Sequence, residues 1–322
     1  ARLGAGYWDG DAWRLRSCRL RPVFGDEART CMAGRNVQFV GDSLTRCLFW
    51  TLAPLVVDST LLDHWRGFGD EYEYVNERAR VRVGFRTAWN SALPHYFPHP
   101  SSPAASRPYY DTTLARAQHT WFEDVAEPNA PRGAALRSKL TGALPDTLVL
   151  GMAPHDEIRN DVRAYRHNLH ELMRKVRHEW RFGGDVVFVL VSAPVGAKTA
   201  AYLEHYKWLQ TVEKNRAYNA AARDVMAHWG VPTLDLFDMT YARPELSFDG
   251  QHYVMGYEIE QEPVYVNVRH ALLHLLCRHS RARAAVNGTV VHWPRLVVPR
   301  SAADTLYAAA LAADTDTADG AD

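Results

Sequence analysis

The stretch NVQFVGDSLTR, from Asn36 to Arg46, decides how the rest of the chain is read. Val37, Phe39 and Val40 are strand formers, and Gly41 ends the run with the residue that turns sharply at no steric cost. From Ser43 the spacing changes. Leu44, Cys47, Leu48, Trp50, Thr51 and Leu52 make an apolar stripe at helical spacing, predicting a helix that stops at Pro54. Ser43 therefore opens a helix at the carboxyl end of a strand. In open α/β sheets ligands bind at this edge, and a helix N-terminus presents N–H groups that favour developing negative charge. The same junction also suits a plain helix cap supplied by Asp42 or Ser43, and the local sequence leaves both roles open.

The chain has 322 residues and 36.4 kDa, and its 47% hydrophobic content suffices for a substantial core. Lys plus Arg (37) balances Asp plus Glu (37), which argues against a nucleic-acid partner or an anionic membrane surface. No apolar run approaches the ~18–20 residues that span a bilayer, and nothing at the start reads as a signal peptide. Of the 4 cysteines, Cys18 and Cys31 bracket a short loop before the first strand and are expected to pair, stapling a coreless N-terminal segment. Cys47 and Cys277 fall on predicted helices and read as buried thiols or as a second bridge. Asn287-Gly288-Thr289 is a glycosylation sequon, consistent with an oxidising secretory compartment.

Along the chain, residues 1–35 show no clear periodicity and read as an irregular lead-in. Ala79 to Trp89 alternates like a half-buried strand, and prolines from Pro94 to Pro108 then mark a long loop carrying Tyr96 and Phe97. Asp146 to Met152 is a continuous apolar run, the pattern of a strand buried on both faces. A helix with Val162, Tyr165, Leu169 and Met173 on one side follows, then a strand from Asp185 to Ala193. A helix from about Lys207 to Trp229, a strand from Val231 to Leu236 and a last helix from about Val264 to Arg278 complete the pattern. Alternating strands and helices imply parallel pairing, so the expectation is one three-layer α/β/α domain over residues 1–300. Residues 301–322, rich in Ala, Asp and Thr, are expected to be a disordered tail or a linker.

A serine nucleophile needs a base. Asp249 and His252 form the one D-x-x-H in the sequence, in a segment that follows the last predicted strand. A carboxylate three residues before a histidine can hold one ring nitrogen and fix the tautomer while the other faces a serine. A surface turn at Asp-Gly is the other reading of the same residues.

Together the Gly-Asp-Ser block and the D-x-x-H block resemble the SGNH, or GDSL-type, hydrolases and acyltransferases. The lead-in with Trp8, Trp13 and Cys18, followed by FVGDS and Arg46, resembles the PC-esterase group. DGQHY followed by a helix ending in ALLHLLC resembles the soluble catalytic domain of Cas-type O-acetyltransferases, which modify sialic acids and capsular glycans. The resemblance implies an SGNH-type fold and acetyl transfer to a glycan hydroxyl through an acyl-serine. It also implies a Golgi-luminal domain beside a multi-spanning membrane region, with no bound cofactor and with acetyl-coenzyme A or another acetyl carrier as donor. Ser43 would be the nucleophile, His252 the general base and acid, and Asp249 its orienting partner. For the oxyanion hole it points to the Ser43 N–H with Gly84 and Asn90. The third block, LGMAPHDE, lacks the family's asparagine, which leaves Gly151 as a backbone donor. Arg46 matches an arginine of the family pattern and is expected to anchor loops.

Trp89 and Tyr96 are candidates for stacking on sugar rings, and His155, just past a strand end, for substrate contact. Trp50 reads as core. The arginine-rich side of the helix with Arg163, Arg166, Arg174 and Arg177 is either a solvated face or an attractor for an acidic glycan or donor phosphates. His270 and His274, four apart, lack a recognisable third ligand and read as polar surface rather than a metal site. Two further functions stay open: a carbohydrate esterase using water as acceptor, and a catalytically silent glycan-binding domain.

Overall fold

A seven-stranded sheet of order β1-β9-β8-β7-β4-β6-β5 forms the centre of the computed structural model. The residues described are 2–3, 6–16, 22–23, 25–56, 71–76, 79–87, 144–154, 156–159, 161–194, 210–247, 250–253 and 262–284. The strands are β1 (Arg2–Leu3), β2 (Gly6–Asp9), β3 (Ala12–Leu15), β4 (Asn36–Gly41), β5 (Glu71–Asn76), β6 (Val81–Thr87), β7 (Thr147–Gly151), β8 (Asp185–Leu190) and β9 (Thr233–Asp235). The helices are α1 (Gly25–Met32), α2 (Ser43–Val56), α3 (Asp156–Arg159), α4 (Val162–Arg174), α5 (Val212–His228), α6 (Phe237–Tyr241) and α7 (Pro263–Ala284).

Period-two alternation sorts the strand side chains into two cores. Val37 and Phe39 of β4, Val149 of β7 and Val187 of β8 face one side, where α1, α2 and α7 cover them. Val40, Leu148, Leu150, Val186 and Phe188 face the other side, packed against Leu169, Met173 and Val225 of α4 and α5. Helices on both faces of a mostly parallel sheet make the α/β class plain. The exception is β5, which pairs antiparallel with β6 at one edge. Its sequence, EYEYVN, carried no expectation, because a short edge strand needs little apolar content.

The lead-in differs from its irregular reading. β1 pairs parallel with β9, β2 and β3 form a hairpin, and α1 packs on α2 and α7. These elements are too short to show a period, and distant partners hold them: Trp8 Nε1 donates to the Met239 carbonyl at 3.0 Å, and Asn267 Oδ1 accepts from the Trp13 N–H at 3.0 Å. The helix expected to stop at Pro54 runs on to Val56, since a proline in the last turn removes one backbone bond without ending the coil.

The disulfide expectation is also corrected. Cys31 is bonded to Cys277, with Cα atoms 5.5 Å apart, because α1 and α7 lie side by side although 246 residues separate the two cysteines. Cys47 remains a half-buried thiol beside the Tyr265 hydroxyl. Cys18, the Pro94–Pro108 stretch, the sequon at Asn287 and residues 301–322 lie outside the described residues.

Candidate active site

β4, β7 and β8 run parallel and end together, so the segments leaving them share one edge. Two glycines let α2 start hard against that edge. Gly41 stands opposite Gly151, and a Cβ at Gly41 would lie 2.0 Å from the Gly151 oxygen. The space is used by hydrogen bonds: the Gly151 carbonyl accepts from Thr45 Oγ1 at 2.8 Å and from the Asp42 N–H at 3.3 Å.

Asp42, not Ser43, caps the helix. Its Oδ1 accepts from the Leu44 N–H at 2.9 Å and the Thr45 N–H at 3.3 Å, while its carbonyl accepts from the Arg46 N–H at 2.9 Å. Ser43 is thereby left as the first helical residue with its hydroxyl uncommitted to the cap. It is half-buried, and its Oγ lies 2.8 Å from His252 Nε2. Two segments 209 residues apart thus meet at the reach a nucleophile and base require.

The His252 segment is held from behind. Ser247 Oγ donates to the His252 carbonyl at 3.0 Å and accepts from the Gly250 N–H at 2.9 Å. Tyr253, 1% exposed, donates its hydroxyl to the carbonyls of Ala193 at 3.2 Å and Thr240 at 3.0 Å. The histidine is therefore tied to the end of β8 and to α6 through its neighbour. Sequence reading passed over Tyr253 and Ser247; the tyrosine in DGQHY was the available signal.

Electrostatically the site sits over buried carboxyls. Burial pushes Asp42 up to about 6, opposed by the N–H bonds from Thr45 and Leu44 and by the charges of His252 and Arg46. Arg46 is itself buried on the same helix. Glu157 on α3 is raised well above the usual carboxylate range, again by burial.

The structure places two of the expected oxyanion donors, Gly84 and Gly151, differently along the sheet. Gly84 stands opposite Gln38, three positions below the pair Gly41 and Thr87 at the edge, about 10 Å from it at strand spacing. There it makes room for the Gln38 side chain, whose Oε1 would lie 2.4 Å from an added Cβ. Gly151 reaches the edge, where its carbonyl accepts hydrogen bonds and its missing side chain leaves clearance for Thr45. Among the described residues nothing accepts from the Ser43 N–H, which leaves it available at the helix start. Asp249, Asn90, Trp89, Tyr96 and His155 lie outside the described residues.

Elsewhere, Trp50 is core, packed edge-on to Phe49 and Tyr72. Three of the four arginines on the α4 side have intramolecular partners: Arg166 with Asp224 at 3.2 Å, Arg174 with Glu171 at 2.9 Å, and Arg177 with the Gly184 carbonyl at 2.9 Å. Their attraction for a donor phosphate is correspondingly reduced. His270 Nδ1 accepts from the Val23 N–H at 3.1 Å, a structural use of that ring. Among the described residues no helix is long and apolar enough to cross a membrane.

The sequence matches no protein-family model, and no curated protein matches it. Several solved structures are similar in fold. A carbohydrate acetylesterase from Sinorhizobium meliloti aligns with a TM-score of 0.43 at 11% identity, covering 76% of this chain and 99% of its own. An acetylxylan esterase from Geobacillus stearothermophilus aligns with a TM-score of 0.41 at 10% identity, covering 77% of this chain and 96% of its own. The aryl esterase of M. smegmatis aligns with a TM-score of 0.40 at 13% identity, covering 75% of this chain and 98% of its own.

Proposed function

We propose that this protein transfers an acetyl group through Ser43 to a hydroxyl of a glycan. The observation that carries the acyl-transfer step is the 2.8 Å contact between Ser43 Oγ and His252 Nε2 at the N-terminus of α2. His252 Nε2 accepts the Ser43 proton as Oγ attacks the acetyl carbonyl. The oxyanion forms beside the Ser43 N–H, a preorganised donor of a kind that typically lowers the barrier by about 3–4 kcal/mol. Collapse expels the donor's leaving group, which takes the proton back from the imidazolium, and leaves acetyl-Ser43. The acceptor hydroxyl then loses its proton to His252, attacks the acyl carbon, and Ser43 leaves with that proton. In this reading Asp249 holds the far nitrogen of His252.

The glycan acceptor, and acetyl-coenzyme A or another acetyl carrier as donor, follow from the resemblance of the Gly-Asp-Ser and D-x-x-H blocks. A location in the Golgi lumen, beside a membrane region, has the same basis. The disulfide between Cys31 and Cys277 supports an oxidising compartment. Water as acceptor would make the same machinery an esterase.

Intact mass after brief incubation with a reactive acetyl ester tests the reading on wild type, Ser43→Ala and His252→Ala. The expected result is an acetyl-sized adduct on wild type, localised to Ser43 and missing from Ser43→Ala. A folded wild type with neither adduct nor donor turnover would overturn it in favour of a silent binding domain. Adding glycan then separates the acceptors: acetate release falls and acetylated glycan appears for a transferase, whereas release is maintained for an esterase.

A further inference from the structure

Glu157 is 2% exposed, and both of its carboxyl oxygens lack a hydrogen-bond partner among the described residues. Asp42, also 2% exposed, leaves its Oδ2 in the same condition while Oδ1 caps α2. The two carboxyls flank one short segment at the end of β7. The Asp42 N–H donates to the Gly151 carbonyl at 3.3 Å, and the Glu157 N–H donates to the Ala153 carbonyl at 3.0 Å. Between them the buried Tyr165 hydroxyl donates to the Met152 carbonyl at 2.8 Å, and this phenol feels Asp156, Glu157 and Asp42 together.

The charge of Lys214 lowers the pKa of Glu157 against the effect of burial, but the lysine makes no hydrogen bond to the carboxyl. Lys214 on α5 directs Nζ to the Glu157 backbone carbonyl, 3.4 Å away. An ionised carboxylate with no donor in a desolvated site is among the costliest groups a protein can hold, whereas its neutral acid is tolerated. Two like charges beside one another cannot both ionise without further cost. Asp42 has what Glu157 lacks: two N–H donors, with Arg46 and His252 nearby.

We propose that Glu157 is a positioning residue for the Ser43 site: its buried carboxyl stays neutral while Asp42 ionises, so that no second charge from Glu157 lies beside Asp42, and it thereby keeps the cap on α2 and a negative charge near His252. The inference rests on the proposed use of Ser43 and His252 for its catalytic consequence, but not for its electrostatic one. The groups facing the pair are Arg46 from α2, Asp156 from α3, Tyr165 from α4, Lys214 and Tyr218 from α5, Tyr265 from α7 and His252. Raising the pH far enough to ionise Glu157 places a second charge under the first turn of α2. The cap loosens and Ser43 loses its fixed position.

Wild type, Glu157→Gln and Glu157→Asp are compared from about pH 5 to about pH 9 by thermal melting, by hydrogen exchange at the Leu44 and Thr45 amides, and by hydrolysis of an acetyl ester. The native state binds the Glu157 proton more tightly than the unfolded chain, so wild-type stability falls as pH rises through the window; E157Q removes the Glu157 part of that fall, leaving what Asp42 contributes below about pH 6, and E157D retains it. Leu44 and Thr45 protection drops towards alkaline pH in wild type relative to E157Q at the same pH. The alkaline limb of kcat moves upward by at least about one pH unit in E157Q, with KM unchanged. Superimposable pH dependences for wild type and E157Q would overturn the proposal, as would an E157Q that is less stable at every pH with the alkaline fall intact. A wild type with no ester turnover defeats the proposed function alone, because melting and exchange still decide the state of Glu157.

Discussion

At the amino end of the sheet Asp146 and Asp185 share one arginine; at the carboxyl end Asp42 and Glu157 keep carboxyl oxygens that have no hydrogen-bond partner among the described residues. Arg35, buried just before β4, reaches Asp146 and Asp185 at 3.3 Å each and Thr147 Oγ1 at 2.6 Å, and it also donates to the Leu276 carbonyl. Those aspartates are about one third exposed, so water shares the load. The disulfide from Cys31 to Cys277 fastens the same corner one residue from Leu276. At the opposite end Asp42, which immediately precedes Ser43, and Glu157 are buried with three carboxyl oxygens unpartnered among the described residues. One end is arranged for stability, and the other carries a cost beside the reacting groups. That division is expected where a preorganised site sits on a rigid scaffold.

The comparison breaks most sharply at Ser43. Ser43→Ala or His252→Ala should lower ester turnover by at least ~10³-fold while the melting temperature stays near that of wild type. Next comes the amino end: Cys31→Ser with Cys277→Ser, or reduction, should cost about 3–5 kcal/mol in denaturant unfolding, because the bridge closes a very long loop. Arg35→Met should cost about 2–3 kcal/mol, through the charged hydrogen bonds it removes, and leave the pH dependence of turnover unmoved.

Asp42 sharpens the contrast with smaller effects. Asp42→Ala should lose about 1–2 kcal/mol of capping energy, whereas Asp42→Asn keeps the cap. Between the carboxyl's ordinary 3.8 and its raised value of about 6, the native state keeps a proton that the unfolded chain has released. Wild-type stability therefore falls as pH rises through that window, and Asp42→Asn should flatten the fall in pH-dependent melts.

Much of this was legible beforehand. The strand from Asn36, the helix from Ser43 and the strands at Thr147 and Asp185 follow from period and turn chemistry, which act over a few residues. Ser43 and His252 were both singled out from short motifs, and they meet. The place of Gly84, three register positions from the edge, was not legible, because a glycine on the right strand is silent about its register, and register sets the distance to the edge. The expected pairing of Cys18 with Cys31 trusted nearness along the chain, whereas the bond follows the packing of α1 on α7.

By itself the sequence determined the order of the strands β4, β6, β7, β8 and β9 and of the helices α2, α4, α5 and α7, and the chemistry available at the end of β4. Those depend on side-chain type and local spacing, which are present in any conformation of the chain. Only the tertiary structure decided that Asp42 caps α2, that Gly41 and Gly151 pack face to face, that Tyr253 moors His252, and that the Glu157 carboxyl is buried with no donor among the described residues. Each of these is a relation between segments far apart in the chain. Desolvation in particular has no local signature, because it depends on which other elements exclude water from a group rather than on the group itself.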